Sequence, residues 1–502
     1  MKPATLARLA LAGSRTDTLR VIFTAASSAL AAVILLAAGA VAAIPEAGGA
    51  DPVVHGYRPA LIAEDGLRPG VIVTLLLLAV PVLALAGQCI RFGSPARDRR
   101  LAALRLSGAT PGQAVMIAAG ETAAAALLGS VSGLLLFLVG RWALDNPDAQ
   151  GQRGLPTDVM PSYPTIVVIL LVVPVAAALA GAFLLRKVII TPLGVTRQVR
   201  DRAPSVLPGV LIIAGVFLPI ILRPSNDRLL EMTRGVSPVV AAAVLILLIL
   251  LAILGVLVGT GWISHTTGRL LVRLGRRPAV LLAGRQLMAD PWSGSRTFSA
   301  LLATVVVGAG VLAYKAQLLT EFLASARFLR ETGEQGEAGA STTFYTNAID
   351  LISAAVNLGV LIAGMGILVA LAEGIVSRRR AYAALVATGV PRRTLAEALT
   401  WQTITPLIPA TLIALTVGVG LIRSIETSVS GGRSGTCDGT PVQCDDPNSP
   451  LWHYTEVRFA VPVPVSDLAL LGGGTLAIML LVVGAGWLFL RMSTDLEELR
   501  VG

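Results

Sequence analysis

The sequence predicts an all-α polytopic membrane protein of about ten transmembrane helices, arranged as two four-span units of the same orientation joined by two further spans. Three observations predict it. Hydrophobic residues make up 54% of the 502 positions and charged residues 14%, with a mean hydropathy of +0.76, whereas soluble globular chains are about one quarter charged. The apolar residues are gathered into runs of membrane-spanning length, about 18 or more residues. One basic segment also occurs twice, and the flanking sequence keeps the same spacing.

The apolar runs are Val21–Ile44, Gly70–Ile90, Ala114–Val139, Thr165–Leu185, Leu207–Leu222, Pro238–Thr260, Phe298–Thr320, Ile349–Val376, Leu395–Ile422 and Leu468–Leu490. The first lacks a small-residue cleavage site and reads as a retained span, not a cleaved signal. The fifth is the shortest. An even number of spans places both termini on one side, and most of the 40 Lys and Arg residues fall on that side. The positive-inside rule then makes the termini cytoplasmic and the chain a multi-pass protein of the plasma membrane.

The basic segment runs from Ser94 to Gln113, SPARDRRLAALRLSGATPGQ, between the second and third runs. Ser94-Pro95 is a helix-start pair, Gly108 a stop, and Thr110-Pro111 a second start. Arg97, Arg99, Arg100 and Arg105 surround Leu101, Leu104 and Leu106, which makes a short cationic amphipathic helix. Ser377–Arg393, SRRRAYAALVATGVPRR, lies between the eighth and ninth runs. A shift of 281 positions superposes Arg97 on Arg378, Arg99 on Arg380, Leu104 on Leu385 and Gly108 on Gly389, and the same shift carries Gly13-Ser14-Arg15-Thr16 onto Gly294-Ser295-Arg296-Thr297. Constant spacing over so long a stretch argues for duplication. The units are 1–204 and 263–502, with 205–262 supplying the linking spans. The second unit is longer by about 24 residues in its last outer loop, near 428–453. Two even-numbered units joined by two spans have the same orientation, as parallel repeats do.

Chemical motifs are sparse. The only lysines are Lys2, Lys187 and Lys315, none preceded by glycine, so there is no phosphate-binding G-x-x-x-x-G-K-[ST] loop. His55, His265 and His453 are scattered, which leaves no H-E-x-x-H zinc site. The net charge of +10 sits between spans and is not interleaved with aromatic residues, which argues against nucleic acid. No bound cofactor, metal or catalytic residue is expected.

Other candidates carry two readings each. The paired basic helices can be anchors against anionic membrane lipids or, since equivalent knobs stand in equivalent places, docking points for a twofold partner. Glu121 is the one acid well inside a span, and so a candidate proton site or a polar contact. Its equivalent under the shift is Gln402, which keeps hydrogen-bonding shape without charge and favours the contact. Lys315, Asp350, Glu373 and Glu397 lie near span ends, within snorkelling reach of water. Cys437 and Cys444 share the inserted loop and are candidates for one disulfide in an oxidising exterior. That loop reads equally as a partner surface or as a hairpin closing the outer face. Pro81, Pro174, Gly364 and Gly366 read as helix-packing residues.

The order of these parts, with the second span leading into R-x-R-R-L-A-A-L-R-L-S-G-A-T from Arg97 and the fourth ending near P-L-G-V-T-R at Pro192–Arg197, resembles the FtsX-like permease domain of ABC transporters. That family includes MacB-type and bacitracin-type peptide-resistance exporters. The resemblance implies a permease subunit whose short basic helices dock separate ATPase subunits, two for the duplicated chain, with ATP and Mg held by the ATPase. By position the coupling role falls on Arg97–Gly108 and, in the second copy, on Arg378, Arg379, Arg380, Leu385 and Gly389. The chain departs from the family pattern in two places. No Pro-Leu-Gly run follows Arg491, and Glu321–Thr346 is short where those exporters carry a large outer domain. The expected function is ATP-driven export of a hydrophobic or amphiphilic compound such as an antibiotic, peptide or lipid-like molecule. The alternatives are relay of ATPase motion to an outer enzyme or sensor, and ion-coupled transport centred on Glu121.

Overall fold

In a bilayer every backbone N–H and C=O must find a partner within its own segment, so apolar runs fold as helices. The computed structural model describes residues 15–45, 56–63, 68–91, 103, 106, 108–149, 151–190, 207–221, 238–332, 340–377, 379–425, 427–437 and 452–493. In chain order the helices are α1 Arg15–Ala42, α2 Arg68–Arg91, α3 Pro111–Ala143, α4 Tyr163–Ile190, α5 Leu207–Ile221 and α6 Pro238–Leu274. They continue with α7 Pro278–Ala289, α8 Pro291–Thr332, α9 Ala340–Ser377, α10 Arg379–Ala387 and α11 Arg392–Ile425. Strands β1 Ser428–Cys437 and β2 Trp452–Ala460 follow, and α12 Val465–Ser493 closes the chain. Among the described residues eight helices are long and apolar enough to cross a membrane. The second and fifth expected spans are also helical, as α2 and α5, and the latter has 15 residues.

The surface agrees with a lipid environment. Leu128, Leu135 and Leu136 on α3, Val168, Leu171 and Leu179 on α4, and Leu470, Leu481 and Leu488 on α12 are more than half exposed, which in water would make patches of a kind that soluble monomers avoid.

In the first half α1 is the hub, packed on α2 and α3, and α3 on α4. In the second half α8 packs on α9 and α11, while α12 packs on α9 and α11. The linking helices belong to the second half, because Ala252, Val256 and Ile263 of α6 share one core with Phe298, Leu301 and Leu302 of α8 and Leu407 and Ala410 of α11. The halves meet at α2 and α9. Ile362 of α9 is buried among Ala31, Val82 and Leu85 of the first half, and a Cβ on Gly366 would stand 3.7 Å from Leu85 Cα. Leu85 and Gly366 are themselves related by the 281-residue shift, so the α2–α9 seam is where the axis relating the halves must pass.

The longer last loop of the second half contains a β-hairpin, the one pair of strands among the described residues. Its strands pair antiparallel from Ser428↔Ala460 to Cys437↔Trp452, with an irregularity between Ser430 and Arg433. β2 carries the aromatic and β-branched residues that suit a pleated surface, and both strands rest on α8, where the Arg327 guanidinium lies 5.7 Å from the Phe459 ring centroid.

Candidate functional site

The second basic helix is α10, and its end is a Schellman turn. Val390 N–H donates to Leu385 C=O at 3.0 Å and Gly389 N–H to Val386 C=O at 3.0 Å, which requires a left-handed residue at the turn. Gly389 supplies it with φ +95°. The apolar contact that accompanies such a turn is present: Leu385, Val386 and Val390 pack with Tyr382 around buried Ile375 of α9 and Leu395 of α11. The helix is thereby fixed to the spans on one side and bare on the other, where Ala384 is exposed. Arg379 and Arg380 occupy its first turn, where a helix dipole disfavours cations. Arg378 lies outside the described residues.

In the first copy Arg97, Arg99, Arg100, Leu104 and Arg105 also lie outside the described residues, but the turn that follows them is described. Gly108 has φ +97°, matching Gly389, and Leu106 is 91% exposed. Helix α3 begins as its residues predict, with Pro111 in the first turn and a capping box at Thr110: Gln113 N–H donates to Thr110 Oγ1 at 3.3 Å and Thr110 N–H to Gln113 Oε1 at 3.0 Å.

Glu121 sits about three turns beyond that cap and is buried, as is its partner, Arg20 of α1, whose Nη2 donates to Glu121 Oε2 at 2.7 Å. The residue that sequence reasoning missed is Arg20. The signal was available, since a span-entry arginine and a lone intramembrane carboxylate stand in spans of the same half, but a pairing partner cannot be chosen before helix neighbours are known. The 281-residue shift maps Arg20 to Leu301, a core residue 1% exposed, and Glu121 to half-buried Gln402. The second half thus has no ion pair at the corresponding positions.

Small residues let α1 and α3 touch. Gly129 meets Ala25 C=O, and a Cβ on Gly133 would stand 2.6 Å from Ala29 C=O, so the helices run parallel with backbones in contact. In the second half the close approach is Gly418 against Val306 and Ala309. The shift would carry Ala25 to Val306 but Gly129 to Ala410. The two halves therefore pack their first and third helices in registers that differ by two turns.

The FtsX-like permease C-terminal family profile matches the chain twice, over residues 69–193 and 353–495. The chain belongs to the FtsX-like permease family. Each match contains one basic segment with its left-handed glycine. Neither a curated protein nor a solved structure matches the chain. FtsX-like permeases are the membrane subunits of ABC transporters and work with ABC ATPase subunits. This permease is accordingly a multi-pass membrane subunit and not the catalytic one.

At the end opposite the basic helices, each half of the permease is closed by an arginine that holds the entry to its fourth helix. Arg141 Nη1 donates to Val159 C=O at 2.6 Å, and Arg423 Nη1 to Val461 C=O at 2.8 Å. The first half adds a polar cap. Buried Arg68 donates to the carbonyls of Ile44, Pro45, Ile62 and Ala63, which closes the exposed end of α1. Tyr57 OH donates to Asp158 Oδ1 at 2.8 Å, and burial first, then that carboxylate, pushes its hydroxyl pKa above the ordinary phenol value. Arg153 Nε reaches Asp145 at 2.9 Å, and hydrogen bonds from Thr157 and Arg153 hold the Asp145 carboxyl below its ordinary range. The second half carries the hairpin instead. Cys437 ends β1, whereas Cys444 lies outside the described residues. Lys315 and Asp350 pair at 2.5 Å between α8 and α9, and Arg393 pairs with Glu397 at 3.1 Å. Beside the seam, an apolar cleft of about 100 Å³ opens between α2, α8 and α9, lined by Leu78, Pro81, Val307, Val356 and Gly359.

Proposed function

We propose that this chain is the permease subunit of an ATP-driven exporter of the plasma membrane, with both termini cytoplasmic. Each basic helix docks one ATPase subunit, two per chain, and ATP and Mg stay on those subunits. The observation that carries this reading is the pair of left-handed glycines, φ +97° at Gly108 and +95° at Gly389, which give both halves the same rigid turn at the same place. Arg97, Arg99, Arg100 and Arg105, with Arg378, Arg379 and Arg380, supply cationic contacts, while Leu385 holds α10 to the spans and Leu104 is its counterpart by the 281-residue shift. Hydrolysis draws the two basic helices together. Because packed helices transmit displacement rather than absorb it, the stroke passes through the α2–α9 seam to the outer ends.

A hydrophobic or amphiphilic cargo, such as an antibiotic, peptide or lipid-like molecule, suits a surface with long apolar faces and a cleft without charged lining. At about 100 Å³ that cleft is smaller than the 300–1,000 Å³ typical of small-molecule sites, so it accommodates an alkyl portion of the cargo and not the whole of it. The test is affinity purification of the detergent-solubilised chain with a count of what accompanies it. Two copies of one soluble ATPase per chain are expected, and the Arg99→Glu/Arg380→Glu variant should lose them. A double variant that keeps the full complement refutes docking through these helices.

One observation favours a second reading, relay of motion without cargo. Helix α8 is an unbroken rod of 42 residues, about 63 Å at 1.5 Å per residue, that starts at the basic end and carries the β-hairpin at the other. ATPase stimulation by cargo in liposomes favours export, and its absence with every amphiphile tried favours relay.

A further inference from the structure

The strongest unassigned feature is a helical hairpin next to the second basic helix. From Pro238 to Ala289 the chain has no acidic residue. Beyond the apolar run that ends near Thr260, α6 continues to Leu274 and α7 turns back. Gly268 and Gly284 sit at the crossing, where a Cβ on either would meet the other's C=O at 3.0 and 2.9 Å. Leu271, Val280, Ala283 and Leu287 form a closed apolar contact between the two helices, so the hairpin is rigid.

Its outer surface is cationic. Arg269, Arg273, Arg276, Arg277 and Arg285 are all exposed, and among the described residues none forms an ion pair. Arg277 stands at the N-cap of α7 and makes no side-chain cap bond, although Ser, Thr, Asp or Asn there would contribute about 1 kcal/mol. The free N–H groups and positive pole of α7 add to the arginine charge and do not offset it. Arg269 contacts His265 of its own helix at 3.2 Å, and with no carboxylate paired to any of the five arginines among the described residues the turn suits an anionic partner.

Two positions decide which partner. The 14 residues from Gly261 to Leu274 carry α6 about 21 Å past the apolar run, toward the end of the molecule where α10 lies. Leu282, about one turn from the tip along α7, packs in the same cluster as Leu385 and Val386 of α10. The hairpin therefore stands next to the second basic helix, packed against the same buried pair Ile375 and Leu395.

We propose that the α6–α7 hairpin is a second docking element for the ATPase, its arginine turn contacting an acidic face of the subunit seated on α10. This rests on the coupling reading above. Since α6 arises in the linking segment and has no counterpart in the first unit, the ATPase on the second half would be held at two points and gain an asymmetric grip.

The test uses the full chain in native membranes, with the photo-crosslinker p-benzoylphenylalanine placed at Ala384 or at Leu274, both exposed. Capture of one and the same ATPase polypeptide, identified by its phosphate-loop sequence, from both positions is the expected result. Capture from Ala384 alone overturns the hairpin contact and leaves the coupling reading standing, whereas capture from neither overturns both. Phospholipid adducts alone at Leu274 overturn it in favour of the membrane surface. In parallel, Arg273→Glu/Arg276→Glu/Arg277→Glu should weaken binding of the copurifying ATPase by about tenfold or more at low salt, with the difference shrinking as salt rises. Unchanged affinity would overturn the proposal.

Discussion

The Arg20–Glu121 pair gives the most decisive perturbation. Both side chains are buried, 7% and 6% exposed, with 2.7 Å between Nη2 and Oε2, and Arg20 Nη1 has no further hydrogen-bond partner. Glu121→Gln leaves a guanidinium buried without its counter-charge, for which the expected loss is about 3–5 kcal/mol. Arg20→Leu removes the ion-pair partner of the carboxylate and should cost less, because Glu121 keeps a further contact. The double variant Arg20→Leu/Glu121→Gln installs the residues that the 281-residue shift places in the second half, Leu301 and Gln402. With no charge left to desolvate, it should lie within about 1–2 kcal/mol of the parent, since replacing a whole buried pair is often nearly neutral. The coupling between the two positions is then at least about 2 kcal/mol and opposes additivity. Reversible unfolding of the purified chain in mixed micelles, followed by helical signal against denaturant, measures all four corners of the cycle. A double variant as unstable as the sum of the singles would refute the reasoning, because it would mean that each side chain stabilises the helices through other contacts.

Further outcomes follow from single positions. Gly133→Leu should separate α1 from α3, since even a Cβ would stand 2.6 Å from Ala29 C=O. Gly140→Leu, with open space around it, should leave the thermal midpoint unchanged. Gly389→Ala forces a left-handed alanine at φ +95° and should cost about 1 kcal/mol, read as a lowered ATPase stimulation by the permease. Tyr57→Phe removes the 2.8 Å bond to Asp158 and should destabilise the outer cap by about 1 kcal/mol, measured as faster proteolysis of the loops. Because the folded-state value for Tyr57 is raised, its contribution is fully present below the ordinary phenol value near 10. It is lost as pH rises through the folded value, so the cap should weaken only in strong alkali.

What could be read from residues alone was whatever depends on short range. Helix starts were legible at Thr110-Pro111, where the side chain that caps and the ring that needs no donor are adjacent in sequence. The stops at Gly108 and Gly389 were legible for the same reason. Runs of apolar residues gave the long helices, because hydrogen-bond satisfaction in lipid leaves the backbone one regular solution within a single segment. Neighbours were not legible. Arg20 and Glu121 lie in different spans, and nothing local selects one arginine over another. The β-hairpin was half legible, since the inserted loop was located by the longer spacing, while its strands depend on packing against α8 that β-propensity cannot supply. The α6–α7 contact was not legible either, because the approach of Gly268 to Gly284 depends on how the two helices turn on each other.

The two halves are alike at their basic segments and at the arginines that hold their fourth helices, and unlike in between. Both basic segments end in glycines of nearly identical φ, and both third helices end in an arginine that holds the next helix's entry. Between those points the first half has an ion pair where the second has Leu301 and Gln402, and the α1–α3 contact stands two turns from the register of α8 and α11. A two-turn displacement is about 12 Å along the axis, too large for the elastic play of a close-packed interior. Equal strokes applied at Gly108 and Gly389 therefore reach outer ends of different construction. The polar cap of the first half is tied down by Arg68 and Arg153, whereas the hairpin of the second rides on the continuous α8 rod. A symmetric motor on such a frame yields an asymmetric outer movement, largest at the hairpin. Fixing the hairpin should therefore abolish the output while leaving ATP hydrolysis intact. Cys residues introduced at Arg327 and Phe459, where the guanidinium lies 5.7 Å from the ring centroid, and joined by a bis-maleimide linker would make that measurement. If cargo movement survives with the bridge closed, the working part is the first half.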